Sequence, residues 1–110
     1  MKNIVITGAS SGIGRALAQA FSSSEASLLL IGRNLARLEE TANLCRKFGA
    51  KVEIAQIDVR EAENLARILQ NFDQENPVDL IIANAGISAG TSGLGENEKQ
   101  VRAIFDINIY

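Results

Sequence analysis

Short apolar runs alternate along this chain with segments in which apolar residues recur every three or four positions. The runs predict four strands, and the spaced segments predict helices between them. The predicted strands are Asn3–Thr7, Ser27–Gly32, Lys51–Ile57 and Val78–Asn84. The predicted helices are Ile13–Phe21, Leu35–Phe48 and Ala62–Phe72, followed by a last helix from about Glu96. This alternation favours parallel strands joined by right-handed crossovers, with helices on both faces of the sheet.

Length and composition are those of one small globular domain covering residues 1–110. A net charge of −2 gives no basic surface for nucleic acid. No apolar run approaches the ~20 residues of a membrane span, and the first apolar stretch is too short for a secretory signal. Cys45 is the single cysteine and histidine is absent, which excludes an internal disulfide, a His-dependent hydrolase and a His-rich metal site. We therefore expect a cytoplasmic protein without a metal.

Three spaced glycines follow the first predicted strand and lead into the first helix: Gly8, Gly12 and Gly14. Gly8 allows a sharp turn off the strand, and Gly14 allows the helix to pack close to the sheet. Gly12 has no side chain to keep a diphosphate from the backbone amides. Since a helix start presents free N–H groups and the positive end of its dipole, this segment predicts a dinucleotide-binding loop.

Four segments together resemble the short-chain dehydrogenases/reductases in order and spacing. They are Thr7–Gly14, Asp58-Val59, Asn84-Ala85-Gly86 and Asp106-Ile107-Asn108. The resemblance implies a Rossmann-type, doubly wound parallel α/β sheet, here incomplete, with about four strands in the order 3-2-1-4. It also implies hydride transfer between a nicotinamide dinucleotide and a small carbonyl or alcohol substrate. Within the glycine loop, it carries cofactor binding to Gly8, Ser10, Ser11, Gly12, Ile13 and Gly14.

The residue after the second predicted strand favours NADP(H) over NAD(H). An NAD site usually has an acidic side chain there for the ribose 2′-hydroxyl, whereas this strand ends in Gly32 followed by Arg33. A guanidinium binds a 2′-phosphate through two charge-assisted hydrogen bonds, and Ser10 adds a hydroxyl near the same place. The alternative for Arg33 is a solvated loop charge. Asn34 is predicted to cap the second helix.

Further site residues follow the third and fourth predicted strands. By resemblance, Asp58 accepts from the adenine amino group and Val59 lies against the ring; the alternative for Asp58 is a helix N-cap. The segment Asn84-Ala85-Gly86 lies beside the cofactor and helps to fix the sheet, although Ala83 replaces a second Asn found in many members. A simple turn is its alternative.

Asn108 continues the apolar stripe of the last predicted helix, where an amide needs partners. By resemblance it belongs to the family's catalytic set, and its alternative is an amide near a fraying end. The family's catalytic Ser and Tyr-x-x-x-Lys are absent, and Tyr110 does not replace them. We therefore expect a cofactor-binding half without turnover alone, from a protein that forms a homo-oligomer when complete. The apolar fourth strand also predicts self-association of the isolated chain.

Three other classes of protein share parts of this pattern. A dinucleotide-binding or scaffold protein with the same half-fold would bind the cofactor without reaction. A methyltransferase also has a glycine loop, but it needs an acid where this chain has Gly32-Arg33. A flavodoxin-like receiver needs clustered acids where Thr7 and Gly8 stand. The oxidoreductase remains the favoured function.

Overall fold

The computed structural model describes residues 2–58 and 60–84. The strands are β1 (Lys2–Thr7), β2 (Ala26–Gly32), β3 (Lys51–Gln56) and β4 (Leu80–Ala83). The helices between them are α1 (Gly12–Phe21), α2 (Leu35–Lys47) and α3 (Ala62–Glu75). Every strand and helix predicted within these residues is therefore confirmed. The predicted helix from Glu96 and the site residues Val59, Ala85, Gly86 and Asn108 lie outside the described residues.

All three strand pairings are parallel, and the sheet order is β3-β2-β1-β4. The central strand β1 pairs Val5 with Leu29 on one side and with Ile81 on the other. Each crossover carries a helix, as the alternation of elements predicts. The strand order is that of the Rossmann-type sheet implied by the family resemblance. The carboxyl ends of the strands consequently meet at one edge of the sheet.

Apolar side chains cover both faces of the sheet because successive residues of a strand point to opposite sides. On one face, Ile4, Ile6, Leu28 and Leu30 pack with buried residues of α1 and α2, among them Ala18, Leu38, Ala42 and Cys45. On the other face, Val5, Leu29, Ile31 and Ile81 pack with Leu65, Leu69 and Phe72 of α3. All seven residues of β2 are buried, as expected for an inner parallel strand.

The fourth strand begins two residues later than the prediction of Val78–Asn84, and local hydrogen bonds explain the difference. The Val78 N–H donates to the Asp73 carboxylate at 2.8 Å, so it is used before the strand begins. Pro77 has no N–H to give. Asp79 is the first of these residues with a backbone-to-backbone hydrogen bond to β1, from its N–H to the Asn3 carbonyl at 2.8 Å.

Two features are absent from residues 2–58 and 60–84, the part of the chain that the structure describes. No helix there combines the length and the apolar character needed to cross a bilayer. The same residues hold no group of three or more Cys, Asp or Glu side chains placed to bind a metal ion.

Candidate dinucleotide-binding site

The glycine loop between β1 and α1 has the conformation that its spacing predicts. Gly8 adopts a φ of 67°, in the left-handed region that glycine enters at little cost. Ser11 closes the turn, since its N–H and its hydroxyl both donate to the Gly8 carbonyl, at 3.1 and 2.8 Å. Its hydroxyl oxygen also accepts from the Gly14 N–H at 3.2 Å, which makes Ser11 the N-cap of α1.

Gly12 and Gly14 face very different surroundings. A Cβ added to Gly14 would lie 2.1 Å from the Gly8 carbonyl oxygen and 2.8 Å from the Ala9 Cα, both backbone atoms. A Cβ added to Gly12 meets no described atom within 4 Å. Gly14 is therefore required for helix packing, as predicted, while the space beside Gly12 is open among the described residues.

The neighbour of Gly12 adds an apolar surface to this opening. Ile13 is 65% exposed, although α1 is amphipathic and buries Gly14 and Ala18 on its inner side. As the first turn of a helix, this segment has N–H groups without intrahelical acceptors. The loop thus combines open backbone donors with an exposed aliphatic side chain.

Asn84, just past the end of β4, joins that strand to the glycine loop. Its side-chain Nδ2 donates to the Gly8 carbonyl at 3.3 Å and to the Ser11 hydroxyl at 3.1 Å. Its backbone N–H donates to the Thr7 hydroxyl at 3.0 Å. Only 8% of Asn84 is exposed. These bonds tie the end of β4 to β1 and to the glycine loop, and the support for the loop was not predicted from the sequence.

The loop also lies against the end of β2. A Cβ on Gly32 would come within 2.9 Å of the Ser10 hydroxyl oxygen and 3.2 Å of the Leu38 side chain, so a glycine there lets Ser10 approach. Arg33 follows directly, with its side chain 75% exposed. Asn34 caps α2 as predicted, its Oδ1 accepting from the Arg37 N–H at 3.1 Å.

Asp58 follows β3, and Arg60 binds its carboxylate on both oxygens. The Arg60 Nε lies 3.1 Å from each oxygen, its Nη2 lies 2.7 Å from Oδ2, and its backbone N–H donates to Oδ1 at 2.9 Å. The Arg33 Nη1 lies 3.8 Å from the same Oδ2. These contacts, the Arg60 hydrogen bonds first, lower the pKa of Asp58 from 3.8 to about 2. Asp58 is consequently a fully ionised acceptor at neutral pH.

The alternative of an N-cap at Asp58 is wrong. Glu61 occupies the N-cap position of α3, and its side chain makes no capping hydrogen bond. Because the Asp58 carboxylate accepts from the N–H two residues ahead, in an Asx-type turn, it is not available to the helix start. Glu61 instead accepts from the Asp58 N–H at 3.2 Å.

The structure therefore brings most of the predicted site residues to one edge of the sheet. Hydrogen bonds join Asn84 to the glycine loop. Ser10 of that loop lies beside Gly32, and the next residue, Arg33, lies 3.8 Å from the Asp58 carboxylate. Sequence reasoning missed Arg60, because a charged residue two positions after a strand is common on protein surfaces. An Asp in a turn often accepts a hydrogen bond from the N–H two residues ahead, and this pattern at Asp58 would have indicated Arg60.

Comparison with known proteins agrees with this arrangement of glycines, strands and polar ends. The family model described as short chain dehydrogenase matches residues 2–110. The chain belongs to this family.

Over the aligned residues, curated members of the short-chain dehydrogenase family are 29% to 34% identical to this chain. It is 33% identical over 112 residues to 17-beta-hydroxysteroid dehydrogenase 13 of Mus musculus, a match covering 98% of this chain and 36% of the mouse protein. More widely, the chain spans 36% to 46% of the length of the curated relatives that it matches.

Solved structures of the family share the fold. An alcohol dehydrogenase from the archaeon Thermococcus sibiricus, complexed with 5-hydroxy-NADP, has a TM-score of 0.77 and 30% identity, covering 96% of this chain and 52% of that one. Carveol dehydrogenase from Mycobacterium avium, in complex with NAD, has a TM-score of 0.72 at 23% identity, covering 92% and 44%. The second likeness shows the fold alone. Both complexes contain a nicotinamide dinucleotide, a derivative of NADP in the first and NAD in the second.

Proposed function

We propose that this chain supplies the NADP(H)-binding part of a short-chain oxidoreductase that transfers hydride between nicotinamide and a small carbonyl or alcohol. The observation that carries the proposal is the open space at Gly12, at the start of α1, beside β2, which ends at Gly32 and is followed by Arg33. When bound, the dinucleotide supplies the hydride acceptor or donor. The residues described here bind and orient it.

The diphosphate is assigned to the loop from Gly8 to Gly14. Backbone N–H groups at the start of α1 provide donors, and the helix dipole favours an anion there. A ligand can approach closely because the position of a Gly12 Cβ is free of described atoms. Asn84 and Ser11 hold the loop in shape, so its donors are arranged before the ligand arrives.

The adenosine end is assigned to the polar groups after β2 and β3. Arg33 and Ser10 are assigned to the 2′-phosphate, for which an exposed guanidinium is a bidentate partner. Asp58 is ionised at neutral pH and accepts from the adenine amino group, with Val59 against the ring.

Ala85 and Gly86 join Asn84 beside the nicotinamide ribose, and Asn108 is assigned to the catalytic set; these roles rest on the family resemblance.

The reaction itself belongs to the protein at its full natural length. These 110 residues contain no Tyr-x-x-x-Lys sequence, so we assign dinucleotide binding to them and expect no turnover from them alone. A homo-oligomer and a cytoplasmic location are parts of the same proposal. A scaffold without catalysis is not favoured, because the relatives of the chain are named as dehydrogenases and reductases.

Calorimetric titration of the protein at its full natural length with NADPH and NADH tests the proposal. We expect tighter binding of NADPH. Arg33→Ala should weaken NADPH binding about 10- to 100-fold, because the charge-assisted hydrogen bonds to the 2′-phosphate are lost. The same variant should change NADH binding little. Arg67→Ala, on the exposed side of α3, is the matched control. Failure of the folded protein to bind either dinucleotide would contradict the function, and an equal loss for both would contradict the role of Arg33.

A further inference from the structure

Two guanidinium groups approach one carboxylate in this site, and they do so unequally. Arg60 contacts both oxygens of Asp58 at 2.7–3.1 Å, whereas Arg33 stays 3.8 Å from Oδ2, beyond hydrogen-bonding distance. The Asp58 side chain is 24% exposed, and those of Arg33 and Arg60 are 75% and 78% exposed. Asp58 is thus bound by its near neighbour in the sequence, and Arg33 is left mainly in solvent.

We propose that Arg60 is a positioning residue for dinucleotide selection: it holds the Asp58 carboxylate so that Arg33 keeps its donors for a phosphate monoester. This inference rests on the proposed function, because it takes the ligand of Arg33 to be the 2′-phosphate of NADP(H). Arg60 acts here through Asp58, without contacting the phosphate.

Competition between two anions explains why such a residue is needed. A carboxylate and a phosphate present similar pairs of oxygens to a guanidinium, so Asp58 is a rival ligand for Arg33. Only 3.8 Å separates the two groups. Without Arg60, a small side-chain rotation would let Asp58 engage Arg33. Its uncompensated negative charge would also lie close to the incoming phosphate and repel it.

The geometry at Asp58 is suited to this role. One residue supplies the side-chain Nε and Nη2 together with its backbone N–H, so the carboxylate is bound from the side of the turn after β3. An ion pair this exposed contributes little to folding stability. Its effect is therefore expected in ligand selection, which is measured separately from the stability of the fold.

A double-mutant cycle in the protein at its full natural length tests the proposal. Dissociation constants for NADPH and NADH are measured for the wild type, Arg60→Ala, Asp58→Asn and the double variant, with Arg67→Ala as control. We expect Arg60→Ala to weaken NADPH binding about three- to tenfold, with NADH binding changed less than about twofold. In the Asp58→Asn background, where the rival charge is gone, removal of Arg60 should leave the ratio of the two constants unchanged.

Each outcome of the cycle decides between distinct explanations. If Arg60→Ala lowers NADPH affinity equally in both backgrounds, Arg60 binds the phosphate directly and the positioning role is wrong. If the ratio does not move in either background, Arg60 has no part in selection. If the wild type binds neither dinucleotide, the proposed function fails and the role of Arg60, which rests on it, fails too. A wild type that binds NADPH, with a ratio that Arg60→Ala does not move, overturns the role of Arg60 alone.

Discussion

The two ends of the parallel sheet use polar residues in different ways. At the amino end, polar groups bind one another: the Asn3 N–H donates to the Asp79 carboxylate and the Asn3 Nδ2 donates to the Pro77 carbonyl, both at 2.8 Å. At the carboxyl end, Arg33 is mainly in solvent and the space beside Gly12 is open among the described atoms. Polar side chains at the amino end stabilise the fold, and those at the carboxyl end leave donors for a ligand.

The position of the strand ends outside the core does not by itself produce this difference. Every parallel strand has an amino and a carboxyl end, and both lie outside the apolar core. What distinguishes them is that helices begin after the carboxyl ends, so that open N–H groups and the positive ends of helix dipoles gather there. We therefore predict that substitutions at the amino end change only the stability of the fold. Substitutions at the carboxyl end should change stability, dinucleotide binding or both.

Gly14→Ala should have the largest effect on stability. The added methyl group would lie 2.1 Å from the Gly8 carbonyl oxygen, and backbone atoms can avoid it only by moving α1 away from β1. We expect the free energy of unfolding to fall by about 3 kcal/mol, with loss of dinucleotide binding. Chemical denaturation followed by circular dichroism measures this. A variant with wild-type stability would show that the packing at Gly14 is not tight.

Asp79→Ala tests the amino end. Removing the carboxylate leaves the Asn3 N–H without its acceptor, and Asn3 is only 7% exposed. We expect a loss of about 1–2 kcal/mol, while Asp79→Asn, which retains an acceptor oxygen, should lose less. Dissociation constants for dinucleotides should not change in either variant. A weakened constant in a stably folded variant would contradict the separation of the two ends.

Asn84→Ala is expected to affect both properties, because this residue cross-links the carboxyl end itself. Its Nδ2 donates to the Gly8 carbonyl and the Ser11 hydroxyl, so the variant should lose about 1 kcal/mol of stability and bind dinucleotides several-fold more weakly. Asn43→Ala, at an exposed position on α2, is the matched control. If affinity is retained while stability falls, the loop does not need this support.

The smallest effect concerns acid titration of Asp58. Because its pKa is lowered from 3.8 to about 2 in the folded protein, its contribution to stability is complete above pH 3.8 and disappears as the pH falls through 2. Carboxyl-carbon NMR should find the midpoint near 2 in the wild type and nearer 3.8 in Arg60→Ala. An unchanged midpoint in the variant would mean that Arg60 does not hold this carboxylate in solution.

The sequence predicted the elements well because short apolar runs and helical apolar spacing report directly on burial. It also predicted the turn at Gly8 and the packing at Gly14, since both follow from three glycines between a strand and a helix. The contacts of Arg60 with both oxygens of Asp58 and the N-cap at Glu61 were not predicted. Local hydrogen bonds that compete with one another determine where a helix begins after a strand, and the apolar pattern does not report on them. The late start of β4 likewise depends on the bond from Val78 to Asp73, which no periodicity reveals.

Calorimetric titration of Gly12→Ala with NADPH tests the central claim most directly. A Cβ at Gly12 meets no described atom within 4 Å, so the variant should fold with wild-type stability. The methyl group would, however, occupy the space through which a diphosphate reaches the backbone amides. We predict unchanged thermal unfolding together with at least about tenfold weaker binding of NADPH and of NADH. Wild-type affinity for both dinucleotides in this variant would contradict the assignment of the glycine loop as the diphosphate site.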